Sequence, residues 1–504
     1  MATKVWTAAL NGLEAVIVTV EADAGGGDFG QISIVGLPDA ALSEAKERVK
    51  SALRNCGLEF PRRKITVNLA PAGLKKHGSA YDLPIAISIL ALKNKFFTNL
   101  SECPIFGELS LQGEVRPVNG ALSMSLAAKK AGLKNIFLPS QNAAEASLVK
   151  GLKIFSLHNL SELIKYLKQG QLADPGHNYH VAKTRVRSYT DLSDIKGQAK
   201  AKRALEISAA GGHNLLLYGP PGSGKTLLAK AMPNILPTLS FEERLEVTQI
   251  YSVAGKFNGN EQLISDRPFR SPHHSASAIS LIGGGTWPQP GEISLAHRGV
   301  LFLDEFPEFS RSVLENLRQP LENGEINISR TANHVCFPAK FILLAAMNPC
   351  PCGYASDKST RCSCRAGQIT AYKRRLSGPL LDRIELHVEV PRLNFAHLTG
   401  DEPSENSATV QKRVERARRQ QAERFKNHPI ITNSEMSNSL LKKYCYLDQP
   451  CLDLLSRASH SLKLSARACF RIIKLARTIA DLGSEKNILP SHLSEALQYR
   501  PKLE

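Results

Sequence analysis

Apolar residues follow two different rhythms along this 504-residue chain. Over residues 1–170, short aliphatic runs alternate with stretches of helical spacing. Val16–Val20, Ile32–Val35, Ile65–Leu69 and Ile136–Leu138 predict strands, while Ala40–Cys56 and Ala121–Ala131 predict helices. Gly170 opens a polar, basic stretch, so 171–191 is expected to be a linker. Across 192–398 the apolar runs change character. Leu215–Tyr218, Val300–Leu303 and Phe341–Ala346 are short and continuous, as parallel strands covered on both faces require. Residues 399–504 begin with a polar stretch and continue in helical spacing, with no clear strand run. The expected architecture is three folded regions, α+β, then α/β, then helical.

The α/β region carries the chemistry. The run Leu215–Tyr218 leads into Gly219, Pro220, Pro221, Gly222, Ser223, Gly224, Lys225 and Thr226, which meets the pattern G-x-x-x-x-G-K-[ST] of a phosphate-binding loop. Glycines let backbone N–H groups turn inward on phosphate oxygens. Lys225 is placed to reach the β- and γ-phosphates of ATP, and Thr226 to ligate Mg²⁺. About 80 residues later Asp304 and Glu305 follow the strand Val300–Leu303. Asp304 suits the Mg²⁺ shell, and Glu305 suits a general base for water. Asn348 ends a further strand, where an amide can hold the lytic water, sense the γ-phosphate or simply satisfy the turn before Pro349. Arg383 follows a short predicted helix; it is either an ion-pair partner of a carboxylate such as Glu385 or a finger inserted into a neighbour's site. In the C-terminal region one arginine of an amphipathic helix, Arg467 with Arg471 as rival, could fold over the nucleotide, or the arginines could line a solvated face.

Charge and cysteine content sharpen this reading. The formal net charge is +18, which self-repels unless a polyanionic partner meets it. Residues 412–426 hold seven basic and two acidic side chains, fitting a solvated helix face or a phosphate-tracking one. Among ten cysteines, Cys350, Cys352, Cys362 and Cys364 form two C-x-C pairs around a polar loop. Four thiols so spaced could close a Zn²⁺ site; a redox pair or an unligated loop are the alternatives. No apolar stretch reaches membrane-spanning length, and the first residues lack a secretory pattern, so a cytoplasmic protein is expected.

From Ile195 to Leu497, this motif order resembles the AAA+ ATPases of the magnesium-chelatase type. The resemblance rests on the phosphate loop, Leu303-Asp304-Glu305, Asn348-Pro349 and Leu380-Leu-Asp-Arg-Ile. It implies a central AAA+ P-loop domain and a C-terminal helical lid. It also implies an insert over Phe269–Arg298 and a hairpin over Asn327–Val335. Such inserts line the pore in related ring helicases, making Gly283–Gly285 and Arg330 pore candidates. Val67-Asn-Leu-Ala-Pro-Ala-Gly, Lys76-His-Gly-Ser-Ala-Tyr-Asp and Gly113-Glu-Val-Arg-Pro-Val-Asn-Gly resemble the Lon-protease domain. By that likeness the catalytic serine falls on Ala80, beside Ser79, and the lysine on Leu122, which implies a non-proteolytic platform.

A Lon-like domain joined to a chelatase-type module, with Ser271-Pro-His-His and Pro290-Gly-Glu-Ile-Ser-Leu-Ala-His, resembles the YifB/ComM family. That resemblance implies a homo-hexameric ATP-driven helicase acting on single-stranded and branched DNA. Its implied work is branch migration during natural transformation, alongside recombination proteins. A magnesium-chelatase motor subunit and an ATP-dependent chaperone-like remodeller remain the alternatives. The N-terminal domain and the cysteine loop are the features expected to separate this chain from a chelatase subunit.

Overall fold

A computed structural model describes residues 2–26, 30–37, 39–94, 96, 102–169, 190–257, 263–285, 287–330, 333–357, 359–393 and 404–501. The expected linker, apart from Thr190 and Asp191, lies outside the described residues. Five parallel strands form the central sheet. In spatial order they are Phe269–Arg270, Val300–Leu303, Ile342–Met347, Leu215–Tyr218 and Leu386–Glu389. Leu215, Leu217, Val300 and Phe302 enter one core, while Leu216, Tyr218, Leu301 and Leu303 enter another on the opposite face. Successive side chains point to opposite faces, so a doubly covered strand must be apolar at every position. Each fully buried aliphatic side chain contributes about 1.5–3 kcal/mol by leaving water.

The edge strand Phe269–Arg270 was expected to begin an insert. Two residues give no readable period, and the pairing becomes visible only in the fold. Phe269 aligns with Val300, and its ring lies 6.0 Å from that of Phe302. The rest of the insert contains the hairpin Gly283–Gly284 with Gln289–Pro290. A second hairpin pairs Glu325–Arg330 with Asn333–Pro338, spanning the expected one. Arg330 ends its first strand; its side chain lies outside the described residues.

The C-terminal helices are Ser407–Arg424, Asn438–Tyr444, Gln449–Ser461, Ala466–Leu482 and Pro490–Leu497, with no strand among the described residues. Asn406, Ser437, Asp448 and Ser465 start the first four by accepting first-turn N–H groups. Val410, Val414, Ile472 and Leu475 share one core with Leu215 and Leu217, so the lid is packed onto the central sheet. That packing revises the reading of the basic helix. Arg413 pairs with Glu206 and Glu405, Arg418 donates to the Ala209 carbonyl, and Arg424 pairs with Asp481. Only Lys412, Arg416 and Arg419 of its central turns are exposed.

The N-terminal region has separate cores. Its sheet runs Thr3–Asn11, Glu14–Gly25, Lys64–Ala70, Ile32–Val35, antiparallel except for the last pair. The first of these strands was missed by the apolar pattern, because Thr7 is buried among its apolar residues and breaks the run. Ala80 and Leu122 are buried, and Ser79 donates to the Glu108 carboxylate. The domain sits on the helix Phe241–Val253: Gly120 N–H donates to the Ser252 carbonyl at 3.0 Å, and Gln249 donates to the Leu13 carbonyl at 2.8 Å. Both hairpins also meet it. Trp287 stacks on His77 with centroids 4.3 Å apart, and Gly12 leaves no room for a Cβ beside Val335. Among the described residues, no helix is long and apolar enough to cross a membrane.

Candidate nucleotide site

Two strands of the sheet deliver the phosphate loop and the acidic pair to the same carboxyl edge. After Tyr218 the chain turns through the loop into the helix Lys225–Ile235. Gly222 and Gly224 take φ values of 74° and 92°, which side chains with a Cβ rarely adopt, and the space a Cβ would enter is open. Gly219 is constrained differently, since a Cβ there would lie 2.1 Å from the Val390 carbonyl oxygen. Buried Lys225 donates to the carbonyls of Gly219 and Pro220 at 2.8 and 2.9 Å, and to Asn348 Oδ1 at 3.2 Å. Burial pulls its ammonium down to about 8, with Asp304 opposing. The Ser223 hydroxyl is buried without a partner. An open glycine cradle, an orphan hydroxyl and a cation held only by neutral oxygens suit a triphosphate.

The Thr226 hydroxyl donates to Asp304 at 2.8 Å, so the two oxygens expected to hold Mg²⁺ already adjoin. Glu305 is exposed, with φ 52°, and its own N–H bonds to Asp304 at 2.9 Å. Glu305 Oε2 lies 3.0 Å from His274 Nδ1. His274 was quoted within the insert but given no role; two adjacent histidines between the nucleotide strands were the only signal. The structure therefore brings Lys225, Thr226, Asp304, Glu305 and Asn348 together.

It does not bring Arg383 or Arg467 to them. Arg383 precedes the strand Leu386–Glu389, whose first residue aligns with Leu215. Asn214, just before the phosphate-loop strand, donates to the Arg383 carbonyl at 2.8 Å. Arg383 is thus at the amino edge of the sheet, one four-residue strand and roughly 13 Å from the loop at about 3.3 Å per residue. Its guanidinium donates to Glu322 and to the Pro379 carbonyl, not to Glu385. Glu385 instead accepts the Asn214 N–H at 2.9 Å, and burial raises its pKa. Arg467 begins the helix Ala466–Leu482 at the same edge, rather than folding over its own chain's phosphate loop. Its rival Arg471 is held by Asp382 at 3.0 Å. A cavity of about 760 Å³ lies here, lined by Arg383, Arg467, Arg471, Arg418 and Lys474 among others.

The cysteine pairs converge beside the carboxyl edge. Sγ separations are 3.4 Å for Cys350–Cys352, 3.7 Å for Cys350–Cys362 and 3.5 Å for Cys352–Cys362, and all four sulfurs lie within 4.8 Å of one another. A tetrahedral Zn²⁺ with bonds of about 2.3 Å places its sulfurs about 3.8 Å apart, so the set fits that ion.

Three family models match the chain. "Magnesium chelatase, subunit ChlI" covers residues 191–398, "Subunit ChlI of Mg-chelatase" covers 20–142, and the ChlI C-terminal model covers 404–500. Competence protein ComM of Haemophilus influenzae is 44% identical over 504 residues, spanning 98% of this chain and 97% of that protein. The chain belongs to the YifB/ComM family. YifB of Escherichia coli is 44% identical over 498 residues, spanning 98% of this chain and 96% of that protein. Lon protease of Paraburkholderia phytofirmans is 34% identical over 106 residues, 21% of this chain and 13% of the protease. This YifB/ComM member is an ATP-binding, ChlI-like AAA+ motor with Lon-like homology in its N-terminal region. The model named for the ChlI subunit over residues 20–142 falls in the same N-terminal region that carries the Lon-like homology.

Proposed function

We propose that this YifB/ComM member is a homo-hexameric, ATP-hydrolysing DNA motor that drives branch migration while incoming DNA is recombined. The carrying observation is the division of the site between the two edges of one sheet. Lys225, Thr226, Asp304, Glu305 and Asn348 stand at one edge, and Arg383 and Arg467 at the other. A triphosphate on the phosphate loop is met by those arginines only if a second subunit presents its amino edge. Repetition of that contact closes a ring.

In this reading Lys225 and the loop amides bind the β- and γ-phosphates, and Thr226 and Asp304 would hold Mg²⁺. Mg²⁺ supplies charge neutralisation between the phosphates when bound. Glu305 takes the proton of the attacking water, after release from His274, and Asn348 orients that water. Arg383 and Arg467 of the adjoining subunit stabilise the developing charge. The DNA cargo is supported by the +18 charge and by the relative named a competence protein. We place the motor in the cytoplasm, acting beside recombination proteins, with one zinc on the four cysteines of each subunit. The buried Ala80 and Leu122, and the engagement of Ser79 by Glu108, support a non-proteolytic N-terminal platform.

The test is ATP hydrolysis with and without single-stranded and branched DNA, followed by migration of a labelled junction. Stimulation by DNA and junction movement are expected, both absent in Glu305→Gln. Hydrolysis indifferent to DNA, without DNA binding, would sink the DNA reading while leaving the ATPase intact.

A further inference from the structure

We infer that the metal knot at Cys350, Cys352, Cys362 and Cys364 is a positioning element of the hydrolytic site, holding Asn348 and the phosphate loop in register. The inference rests on the zinc reading above. It starts from what the segment lacks. Between Cys350 and Tyr372, Gly353 is the only buried residue among those described. With no apolar side chain fully buried among those described, the segment has little to offset the entropy of ordering about 20 residues. A tetrahedral metal is the one strong constraint its composition offers.

The segment nevertheless forms a closed circuit around the nucleotide. The strand Ile342–Met347 ends in Asn348, whose Oδ1 meets Lys225. Two residues later buried Cys350 enters the knot. Gly353, at φ 89°, packs so closely on Pro221 of the phosphate loop that a Cβ would lie 2.5 Å from its ring. The second cysteine pair leads directly into the helix Ala366–Lys373. From that helix the Tyr372 hydroxyl is hydrogen-bonded to the Asn348 backbone. Arg375, just beyond it, pairs with Glu308 at 2.5 Å, three residues after Glu305. Asp357 in the loop lies 3.9 Å from Arg392, which follows the strand whose end packs on Gly219. Two of these routes return to Pro221 and Asn348 of the nucleotide site, and the other two end on Glu308 and Arg392, close in sequence to Glu305 and Val390. Opening the knot releases Cys350 two residues after Asn348 and the Gly353 and Asp357 contacts, while the phosphate loop's own strand and helix, and Tyr372, stay in the cores of the sheet.

Loss of the metal is therefore expected to reduce turnover more than nucleotide binding. Cys362→Ser/Cys364→Ser should lose the single zinc per subunit and hydrolyse ATP roughly 100-fold more slowly, the usual effect of misplacing one preorganised polar group. Nucleotide affinity should change less than about tenfold, because most phosphate contacts come from the loop itself. Asn348→Ala in zinc-loaded protein should show a similar fall in kcat, and the combined variant little further loss, since both act through one group. Turnover that survives metal loss, or losses that multiply, would overturn the inference while leaving zinc binding established. Wild-type protein purified under reducing conditions without metal would overturn the zinc reading and the inference together. Cobalt exchanged into the knot gives a check independent of the cysteine variants. Its tetrahedral thiolate absorption should shift when a non-hydrolysable ATP analogue with Mg²⁺ binds the wild type, and should not in Asn348→Ala. An unchanged wild-type spectrum would count against the coupling.

Discussion

The two edges of the central sheet hold their polar groups in different physical forms. At the carboxyl edge the groups are short and set by backbone. Gly222 and Gly224 supply the turn, Thr226 bonds to Asp304, and Glu305 sits at a left-handed φ. At the amino edge the groups are long arginines, held by carboxylates such as Glu322 and Asp382. A rigid edge suits a ligand that must be gripped in one geometry, because little entropy is left to lose. A clamped but releasable arginine suits a partner that arrives with the neighbouring subunit and exchanges one anion for another. The contrast teaches that one subunit carries a complete cradle, and that on the proposed reading its arginines serve a neighbour's cradle rather than its own.

The largest effect that would break this comparison is at Glu305. Glu305→Gln should keep nucleotide binding and lower hydrolysis by about 10³-fold, within the range for a removed general base; turnover near the wild-type level would remove its role. Arg383→Ala should cost about 10³-fold when the arginine acts in trans. The decisive measurement is a mixture: Arg383→Ala and Lys225→Ala subunits, each inactive alone, should regain activity in mixed rings. No recovery would place Arg383 outside the neighbour's site. Arg467→Ala should behave alike with a smaller loss, about 10–100-fold, since Arg383 would remain.

A smaller effect follows from the buried ammonium. Lys225 is depressed to about 8 in the ligand-free site, so its charged form costs stability below that pH, and the cost disappears as pH rises toward the unfolded value. A bound triphosphate supplies the missing counter-charge. Binding should thus take up a proton at pH 8.5 and almost none at pH 7, read as buffer-dependent binding enthalpy; equal uptake at both would contradict the assignment. The smallest effect concerns Arg416 and Arg419, exposed on the lid helix. Arg416→Glu/Arg419→Glu should change stability by less than about 0.5 kcal/mol, yet weaken DNA binding and flatten its salt dependence if this face tracks phosphates.

Much of the carboxyl edge was legible before any coordinates. Residues 219–226 are contiguous, and Asp304 and Glu305 follow a run whose unbroken apolar character betrays a doubly covered strand. The amino edge was legible only as residues, not as a place. Arg383, Arg467 and Arg471 could be named, but Glu322 as the partner of Arg383, Asp382 as the partner of Arg471 and the shared cavity could not; the first contact joins segments 61 residues apart and the second 89. His274 escaped for the same reason: its meaning depends on Glu305, which lies 31 positions away. The basic helix misled because charge counts do not reveal direction; Arg413, Arg418 and Arg424 turn inward once the lid packs on the core.

What the amino-acid sequence determined by itself is local: the strand periods, the loop that must turn where glycines permit it, and the four thiols at metal-ligand spacing. These depend on sterics and chemistry within a few residues, so order along the chain suffices. The tertiary structure alone decided which edge each group occupies and which arginines are spent on the fold. It also joined the cysteine knot to Pro221 and Asn348. Those outcomes follow from strand order and helix packing, where residues far apart in sequence compete for the same space and the same counter-charges.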